Sequence, residues 1–328
     1  MTRTAALALP LDAAPRCACV EREVIQDGFD TVRLCSQDAL EATFAPQVGM
    51  TCCSLRHGGD ELLGERFGLA AYASEGITMG MSVMHPWANR LSSWSYKACG
   101  ATVRLPVSPL LHTDRWGLPV NGVQSCGHAW ALENTGAGPG SAWLEATLPY
   151  DRDPRRLELF PFPHQLHLRA EVIGTHLYIA TILEATGGVP VPACFACRLY
   201  LRGEQPRGDA TMVLPARRRV ITDKRLLPTG ATEPLEMSAS TLGVDHVHEV
   251  FLLGADRRLT IASDLRRVTV DLLDGFPFAQ VRSIAGEPHV MVEALTAAPD
   301  ALSRGVFPVA RPGRPYRAAL RLSIDELS

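Results

Sequence analysis

The sequence has no excess of positive charge and no long uninterrupted apolar segment. Its 328 residues include 32 Lys and Arg against 35 Asp and Glu, which gives a net charge of −3. The arginines are scattered, apart from short clusters at 155–156 and 217–219. Because a nucleic-acid backbone is held by a concentrated basic surface, this composition argues against nucleic acid as a partner. No apolar segment is long enough to cross a bilayer, so no membrane partner is expected.

The sequence also lacks the cysteine pattern of a small secreted disulfide scaffold. The number of cysteines is odd, at nine, and three close pairs are Cys17 and Cys19, Cys52 and Cys53, and Cys194 and Cys197. This usage predicts a reducing, cytoplasmic environment. Cys194 and Cys197 have the spacing of a redox or metal motif, but no second such pair exists and the segment is apolar. We therefore expect them to be core thiols.

Motifs for common cofactors are absent as well. There is no glycine-rich phosphate loop followed by Lys and Ser or Thr, no dinucleotide fingerprint and no Gly-x-Ser-x-Gly nucleophile motif. In the segment Asp245–Glu249, one valine separates His246 from His248. Alternate residues of a strand share a face, so the two histidines offer two metal ligands on the same side. A pocket aspartate with nearby histidines fits better, because no third and fourth ligands are evident. We expect chemistry without a cofactor or a metal.

Long amphipathic helices are missing, and an alternation with a period of two takes their place. Segments with this period are 101–107, 166–172, 259–262 and 316–324. Turn sequences rich in Gly, Pro and Asn separate them, and only 299–304 has the signals of a short helix. The pattern predicts an all-β protein, a large antiparallel β-sandwich. We expect a flexible N-terminal extension over 1–20 and one domain over 21–328.

Several short motifs follow one another in an order typical of one protein family. They are Ala45–Gly49 with Glu61–Leu63, Pro86–Arg90, Gly117–Gly122 with Trp130, Phe160–Phe162, Leu227–Gly230, Val244–Asp245, and Val292–Thr296 followed by Pro299–Ala301. In this order they resemble the aldose 1-epimerases, or galactose mutarotase-like proteins, over most of the chain. The resemblance implies a β-sandwich with a sugar cleft across one face, in agreement with the period of two.

The resemblance also implies an acid–base mechanism. A glutamate at the position of Glu293 takes a proton from the anomeric hydroxyl while a histidine protonates the ring oxygen, so the ring opens and closes as the other anomer. The chain is similar to a divergent member of the family, because both expected pocket histidines are replaced. Arg198 stands where the general-acid histidine is expected, and Asn121 replaces the second histidine.

The residue types around these positions suit a sugar. Arg198 is a poor general acid, since a guanidinium has a pKa above about 12 and stays protonated at neutral pH. It can instead stabilise a negative charge. Amide, guanidinium and carboxylate groups can hydrogen-bond to hydroxyls, and an indole can stack on a pyranose. The predicted substrate-binding residues are Asn89, Arg90, Asn121, Asp245 and Trp87.

Three functional interpretations stay open from the sequence. The first is a divergent epimerase with Glu293 as the base and water or a histidine as the acid; the histidines near pocket motifs are His85, His164, His246 and His248. The second is an isomerase or ring-opening enzyme acting on an anionic or non-sugar substrate, with Arg198 as the anion clamp. The third is a carbohydrate-binding protein without catalysis. All three take a small-molecule ligand, and the oligomeric state is left open.

Overall fold

The fold, described here from a computed structural model, is built almost entirely from antiparallel strands. The structure describes residues 17–64, 67–123, 129–202, 210–242, 244–283, 286–287 and 289–327. The predicted extension over 1–20 lies outside this part of the chain except for residues 17–20, and the first strand begins at Cys19. The predicted all-β class and the large antiparallel sandwich are confirmed.

The strands are numbered here in chain order. The first fourteen are β1 (Cys19–Gln26), β2 (Phe29–Cys35), β3 (Leu40–Ala45), β4 (Thr51–His57), β5 (Asp60–Glu61), β6 (Met81–Met84), β7 (Ser95–Ala98), β8 (Ala101–Arg104), β9 (Leu111–Thr113), β10 (Pro119–Val123), β11 (Ala131–Gly138), β12 (Ser141–Leu148), β13 (His164–Ile173) and β14 (His176–Ala185). The others are β15 (Val191–Pro192), β16 (Ala196–Arg202), β17 (Thr211–Leu214), β18 (Arg217–Thr222), β19 (Pro228–Leu235), β20 (Ser238–Thr241), β21 (Val247–Leu253), β22 (Arg258–Ala262), β23 (Arg266–Asp274), β24 (Phe278–Ser283), β25 (His289–Leu295), β26 (Val309–Ala310) and β27 (Tyr316–Glu326).

Two large sheets form the sandwich. One has twelve strands in the order β1-β2-β3-β4-β6-β16-β25-β24-β21-β18-β19, with β5 paired to β4, and the other has nine in the order β11-β12-β13-β14-β27-β23-β22-β17-β20. Short two-stranded ribbons, β7-β8, β9-β10 and β15-β26, accompany them. Strands from the beginning, middle and end of the chain lie side by side in the larger sheet, so its centre forms only when distant segments pair.

Helices are few and short in the described residues. They are α1 (Gly68–Glu75), α2 (Pro154–Leu159) and α3 (Ala301–Arg304), with a 3₁₀ turn at Tyr150–Arg152. α2 has a proline in its first turn, and the Asp153 side chain accepts a hydrogen bond from the Arg155 amide at its N-terminus. α3 lies in the segment predicted to be helical. None of the helices described is long and apolar enough to cross a membrane.

The period of two seen in the sequence becomes a difference between two sheet faces. In β13, Leu166, Leu168, Ala170 and Val172 point into the main core between the sheets, while the residues between them are half-buried. The central strands of the larger sheet are different, because β16 and β25 are buried on both faces. A strand that is buried on both faces needs a second layer over its outer side, and that outer side holds the candidate site.

Candidate active site

A row of polar side chains crosses the middle of the twelve-stranded sheet. Glu293 on β25 pairs in register with Gln280 on β24 and with Arg198 on β16, and Arg198 pairs in turn with Ser82 on β6. Directly paired residues point to the same side of a sheet. We call this side, defined by Ser82, Arg198, Gln280 and Glu293, the site face. The intervening residues of β16 and β25 belong to the main core on the opposite side.

Arg198 and Glu293 form a buried ion pair at the centre of the site face. Arg198 Nη2 lies 3.0 Å from Glu293 Oε1 and also donates to Asn121 Oδ1 at 2.9 Å. Its Nη1 donates to Thr78 Oγ1 at 3.4 Å. Glu293 is 0% exposed and Arg198 is 7% exposed. The structure therefore brings together three sequence-predicted residues, Arg198, Glu293 and Asn121.

The electrostatics of the pair favour a fixed charge on the arginine. Burial opposes the charged guanidinium, but the neighbouring Glu293 carboxylate and a hydrogen bond with Tyr200 outweigh it, so the pKa of Arg198 is raised above its ordinary value. Arg198 thus stays protonated, as its chemistry predicts. Two buried atoms of the pair, Arg198 Nε and Glu293 Oε2, have no hydrogen-bond partner within the described residues. A free carboxylate oxygen in such a place is unusual for a purely structural ion pair.

A cavity of about 270 Å³ opens on the same side of the sheet. Its walls come from β18, β21, β24 and the loop that follows β6. The lining residues are Asn89, Arg90, Arg219, Val220, Ile221, Thr222, Leu226, His248, Glu249, Val250 and Gln280. Asn89 and Arg90 are the two sequence-predicted residues among them. Gln280 is the residue through which the cavity wall adjoins Glu293, because the two are register partners.

A chain of hydrogen bonds runs along this wall. The Asn89 amide donates to Gln280 Oε1, and Gln280 Nε2 lies 3.0 Å from His248 Nε2. Since the Gln280 nitrogen is a donor, His248 Nε2 accepts and its proton sits on Nδ1. Burial, and then the charges of Arg282 and Arg90, lower the pKa of His248. His248 is therefore neutral at pH 7, with its Nδ1–H as a donor.

The loop after β6 and strand β10 hold Asn89 and Asn121, respectively, in place over the sheet. Both residues have left-handed backbones, with φ of 58° and 61°, and the Asn121 amide donates to the Asn89 carbonyl at 2.6 Å. Asparagine tolerates this conformation better than most residues. Gly122 lies beside them with φ of 77°, and a Cβ there would come within 2.3 Å of the His85 carbonyl oxygen. Only glycine at position 122 lets β10 approach the His85 backbone so closely.

Arg90 is held by an acidic and an aromatic neighbour. Its Nε donates to Asp114 Oδ2 at 3.1 Å, and its guanidinium carbon lies 5.5 Å from the centre of the Trp116 ring. The ion pair leaves the other guanidinium nitrogens available to a ligand. Arg90 is thus an oriented donor in the cavity wall rather than a free surface cation.

The structure places two other predicted residues away from the cavity lining. Trp87 is 1% exposed and belongs to the main core, with its ring centre 6.4 Å from that of Tyr96. Asp245 is exposed in a turn, where its carboxylate accepts a hydrogen bond from the Thr241 amide at 2.6 Å. Three residues further along, His248 enters β21 and lines the cavity.

The histidines considered as acids divide in the same way. His85 and His164 are buried, and their Nε2 atoms lie 2.7 Å apart. His246 is exposed. Only His248 among the four lines the cavity. Cys194 and Cys197 are free thiols buried in the main core, which confirms that expectation.

Gln280, Glu249 and Arg219 are cavity residues that the sequence analysis missed. Gln280 gave one signal, since it is a polar residue directly flanked by the apolar Ala279 and Val281. Glu249 binds Arg217 at 2.9 Å and lies 3.9 Å from Arg219, so these charges are largely paired. Within the described residues, no set of three His, Cys, Asp or Glu donors gathers at this cavity.

Comparison with known proteins adds the class of fold. No protein-family model matches the sequence, and no curated protein matches it. A galactose mutarotase-like protein from Clostridium acetobutylicum has a TM-score of 0.83 at 15% identity, over 95% of this chain and 99% of that one. Galactose 1-epimerase from Lactobacillus acidophilus has a TM-score of 0.76 at 14% identity, over 95% and 99%.

A third structure extends the likeness to an animal protein. The aldose epimerase homologue from C. elegans has a TM-score of 0.70 at 14% identity, over 91% of this chain and 99% of that one. At such identities the likeness concerns the fold. The chain therefore has the galactose mutarotase-like β-sandwich fold, and the resemblance predicted from its motifs is confirmed at that level.

Proposed function

We propose that this protein is a sugar isomerase of the aldose 1-epimerase type, with Glu293 as the general base. The observation that carries the proposal is the free Oε2 atom of a carboxylate that is 0% exposed and adjoins the cavity through Gln280. A buried carboxylate oxygen without a partner can accept a proton from a hydroxyl placed against it. The cavity offers the amide, imidazole and guanidinium groups that sugar hydroxyls need.

The proposed reaction moves two protons. Glu293 Oε2 takes the proton of the anomeric hydroxyl, whose electron pair forms the carbonyl while the bond from C1 to the ring oxygen breaks. The ring oxygen takes a proton from a water molecule, because Arg198 does not release its own and His248 is neutral. The hydroxide left behind takes this proton back from the open-chain hydroxyl when the ring closes. Rotation about the C1–C2 bond and the reverse steps give the other anomer. Arg198 and Asn121 hold the carboxylate in position.

Substrate entry requires a rearrangement at Asn89. Glu293 is fully buried, and the Asn89 side-chain amide donates a hydrogen bond to Gln280, the register partner of Glu293. We propose that a sugar exchanges this amide hydrogen bond for bonds to its own hydroxyls and so reaches Oε2. The exchange conserves the number of hydrogen bonds, which keeps its cost low.

An anionic substrate held by Arg198 has less support. The guanidinium already binds the Glu293 carboxylate at 3.0 Å and the Asn121 carbonyl oxygen at 2.9 Å. A substrate carboxylate at the same place would add a second negative charge beside Glu293 in a buried site, which is electrostatically unfavourable. A neutral sugar meets no such repulsion.

A carbohydrate-binding protein without catalysis is the second candidate. It is favoured by the closed ion pair between Arg198 and Glu293 and by the absence, in the described part of the site, of a histidine beside that pair. The cavity residues Asn89, His248 and Gln280 would serve binding alone. The cytoplasmic location expected from the cysteines belongs to the proposal too, and the eight described cysteines are free thiols.

Anomeric exchange measured by NMR tests the proposal. We expect wild-type protein to speed the exchange of glucose or galactose above the rate in buffer, and Glu293→Gln to lose about 10²- to 10⁴-fold of that rate. Glu184→Gln is the matched control, because Glu184 is an exposed glutamate on β14 of the other sheet. A uronic acid as a third sugar tests the anion clamp, which requires a preference for it.

The outcomes separate the candidates. Exchange at the buffer rate for all three sugars, with a sugar-dependent rise in melting temperature, favours the binding protein. No exchange and no thermal shift contradicts both proposals for these sugars. Exchange that Glu293→Gln retains contradicts the role of Glu293 as the base.

A further inference from the structure

A second cluster of reactive side chains lies at the edge of the twelve-stranded sheet, on β1 and β2. The sequence Cys17-Ala-Cys19-Val-Glu21 alternates metal-ligating residues with small apolar ones. In an extended chain, alternate residues share one face. Cys19 is the direct register partner of Cys35 on β2, so the Cys35 side chain points to the same face.

The donor atoms of this cluster are close together. The Sγ atoms of Cys19 and Cys35 and a carboxylate oxygen of Glu21 all lie within 4.8 Å of one another. Both thiols are half-buried and free, and they share a hydrogen bond. Glu21 Oε2 binds Arg33 at 3.1 Å, which leaves Oε1 available as a ligand. The intervening Val20 and the neighbouring Leu34 pack toward the main core, so the cluster faces outward.

We propose that Cys19, Cys35 and Glu21 bind a thiophilic divalent metal ion of the zinc type. Thiolate and carboxylate ligands suit Zn²⁺. Cys17 is exposed and lies two residues before Cys19, outside the group of three donor atoms, so it would have to move to supply a fourth ligand. Binding replaces the two thiol protons, which pass to solvent, with two bonds from sulfur to the metal. A disulfide between Cys19 and Cys35 would explain the two thiols, but it gives no role to the carboxylate beside them.

The proposed metal site is separate from the candidate active site. β1 lies six strands from β25 in the sheet order, so Glu293 and Cys19 share no contact. A metal bridging β1 and β2 would fasten the outermost strand of the sheet, which pairs with β2 alone in the sheet order. Its consequence is therefore greater stability of this edge, independent of any reaction at Glu293.

Metal titration of the full chain tests this proposal. The reduced, metal-free protein is titrated with Cd²⁺, whose thiolate absorption band reports sulfur ligation, and with Zn²⁺ in competition with a chromophoric chelator. We expect one ion per chain and at least a tenfold loss of affinity in Cys19→Ser and in Cys35→Ser. Cys17→Ser and Glu21→Gln are expected to lose less. Cys99→Ser, which changes a half-buried cysteine elsewhere, is expected to bind like wild type.

A thermal measurement guards against misfolded variants. Without metal, each serine variant is expected to melt close to wild type, because serine keeps the size of cysteine at a half-buried edge position. Zn²⁺ is expected to raise the melting temperature of wild type and Cys99→Ser fully, that of Cys17→Ser and Glu21→Gln less, and that of Cys19→Ser and Cys35→Ser not at all. No stoichiometric binding by the reduced protein, or binding that survives in both Cys19→Ser and Cys35→Ser, overturns the proposal. Formation of a Cys19–Cys35 disulfide without metal binding overturns it as well.

Discussion

The two faces of β16 and β25 are equally buried but chemically opposite. On the core face, Leu199 pairs in register with Val292, and both pack into the main core. On the site face, one residue away in each strand, Arg198 pairs with Glu293. The exposed fractions of all four side chains lie between 0% and 7%, so burial by itself does not distinguish the faces.

This difference shows which of the two faces costs the protein stability. Burying Leu199 or Val292 stabilises the fold by removing apolar surface from water. Burying Arg198 and Glu293 costs a desolvation free energy about as large as the gain from their attraction. Well-packed apolar residues often replace such a pair without loss of stability. The free Glu293 Oε2 adds an unsatisfied polar atom. A pair of this kind is better explained by ligand binding than by folding.

The largest expected effect comes from breaking the ion pair on one side only. Arg198→Met leaves Glu293 buried without a counter-charge, so we expect the free energy of unfolding to fall by about 3 to 5 kcal/mol. Adding Glu293→Leu removes the stranded charge, and the double variant should recover wild-type stability or exceed it. Urea unfolding of both variants measures this, and activity should be absent from both.

The core face supplies the matched control. Leu199→Ala is expected to cost about 2 to 5 kcal/mol, and adding Val292→Ala should lower the stability further, since each truncation leaves a cavity. Recovery in the double variant is therefore specific to the site face. A double Arg198→Met, Glu293→Leu variant as unstable as the single one would mean that the ion pair is needed for folding.

A second effect concerns the buried histidine pair, His85 and His164, which contrasts with the ion pair because burial disfavours the charged form of His164. His164 Nδ1 donates to the Phe162 carbonyl, so its Nε2 accepts from His85 at 2.7 Å. Burial lowers the pKa of His164 from 6.5 to about 4. The unfolded chain therefore binds this proton more readily than the folded protein does, and stability is lost as pH falls from 6.5 toward 4.

Unfolding free energies at two pH values measure this contribution. Between about pH 7.5 and about pH 4.5, His164 is expected to account for about 2 to 3 kcal/mol of the decrease. His164→Gln should remove that part of the pH dependence, whatever it does to stability at neutral pH. His167→Gln, at a half-buried histidine of the same strand, is the control and should leave the slope as in wild type. An unchanged slope in His164→Gln contradicts the prediction.

A third, smaller effect concerns sugar binding by His248 and His246, which lie two residues apart. His248 shares a hydrogen bond with Gln280 in the cavity wall, whereas His246 is exposed. We expect His248→Ala to weaken sugar binding by about 1 to 2 kcal/mol, because it removes a donor and leaves Gln280 unpaired. His246→Ala should bind as wild type. Calorimetric titration with the sugar that gives a thermal shift measures both, and equal affinities would remove His248 from the site.

The smallest expected effect is at Asp245. Its carboxylate accepts the Thr241 amide hydrogen bond in an exposed turn, so Asp245→Asn should change sugar affinity less than about twofold and stability by less than about 0.5 kcal/mol. A larger loss of affinity, with stability unchanged, would restore the direct role in binding that the sequence predicted for Asp245.

The sequence predicted one part of the site well because its motifs lie in regular strands. The family resemblance singled out Arg198 and Glu293, and both lie at the centres of strands that the structure pairs directly, with Arg198 Nη2 at 3.0 Å from Glu293 Oε1. Trp87 and His248 were harder to place. An aromatic residue next to a polar motif has the same sequence whether it faces a ligand or the core, and Trp87 lies in the core.

His248 and Gln280 depend on where a strand begins. A shift of one residue moves every side chain of a strand to the other face, and β21 begins at Val247, two residues after Asp245. Asp245 therefore stays in the turn while His248 enters the sheet. Gln280 is assigned to the site because it pairs with Glu293 on the neighbouring strand. The local sequence does not predict this pairing.

The amino-acid sequence by itself determined the class of fold, since alternation with a period of two specifies sheets with distinct faces and leaves no long helix. It also determined the chemical groups present, including the Cys-x-Cys-x-Glu pattern at the edge strand. Only the tertiary structure decided which groups meet. Arg198 and Glu293 are 95 residues apart in the chain, and their contact depends on strand order and register, which long-range packing fixes.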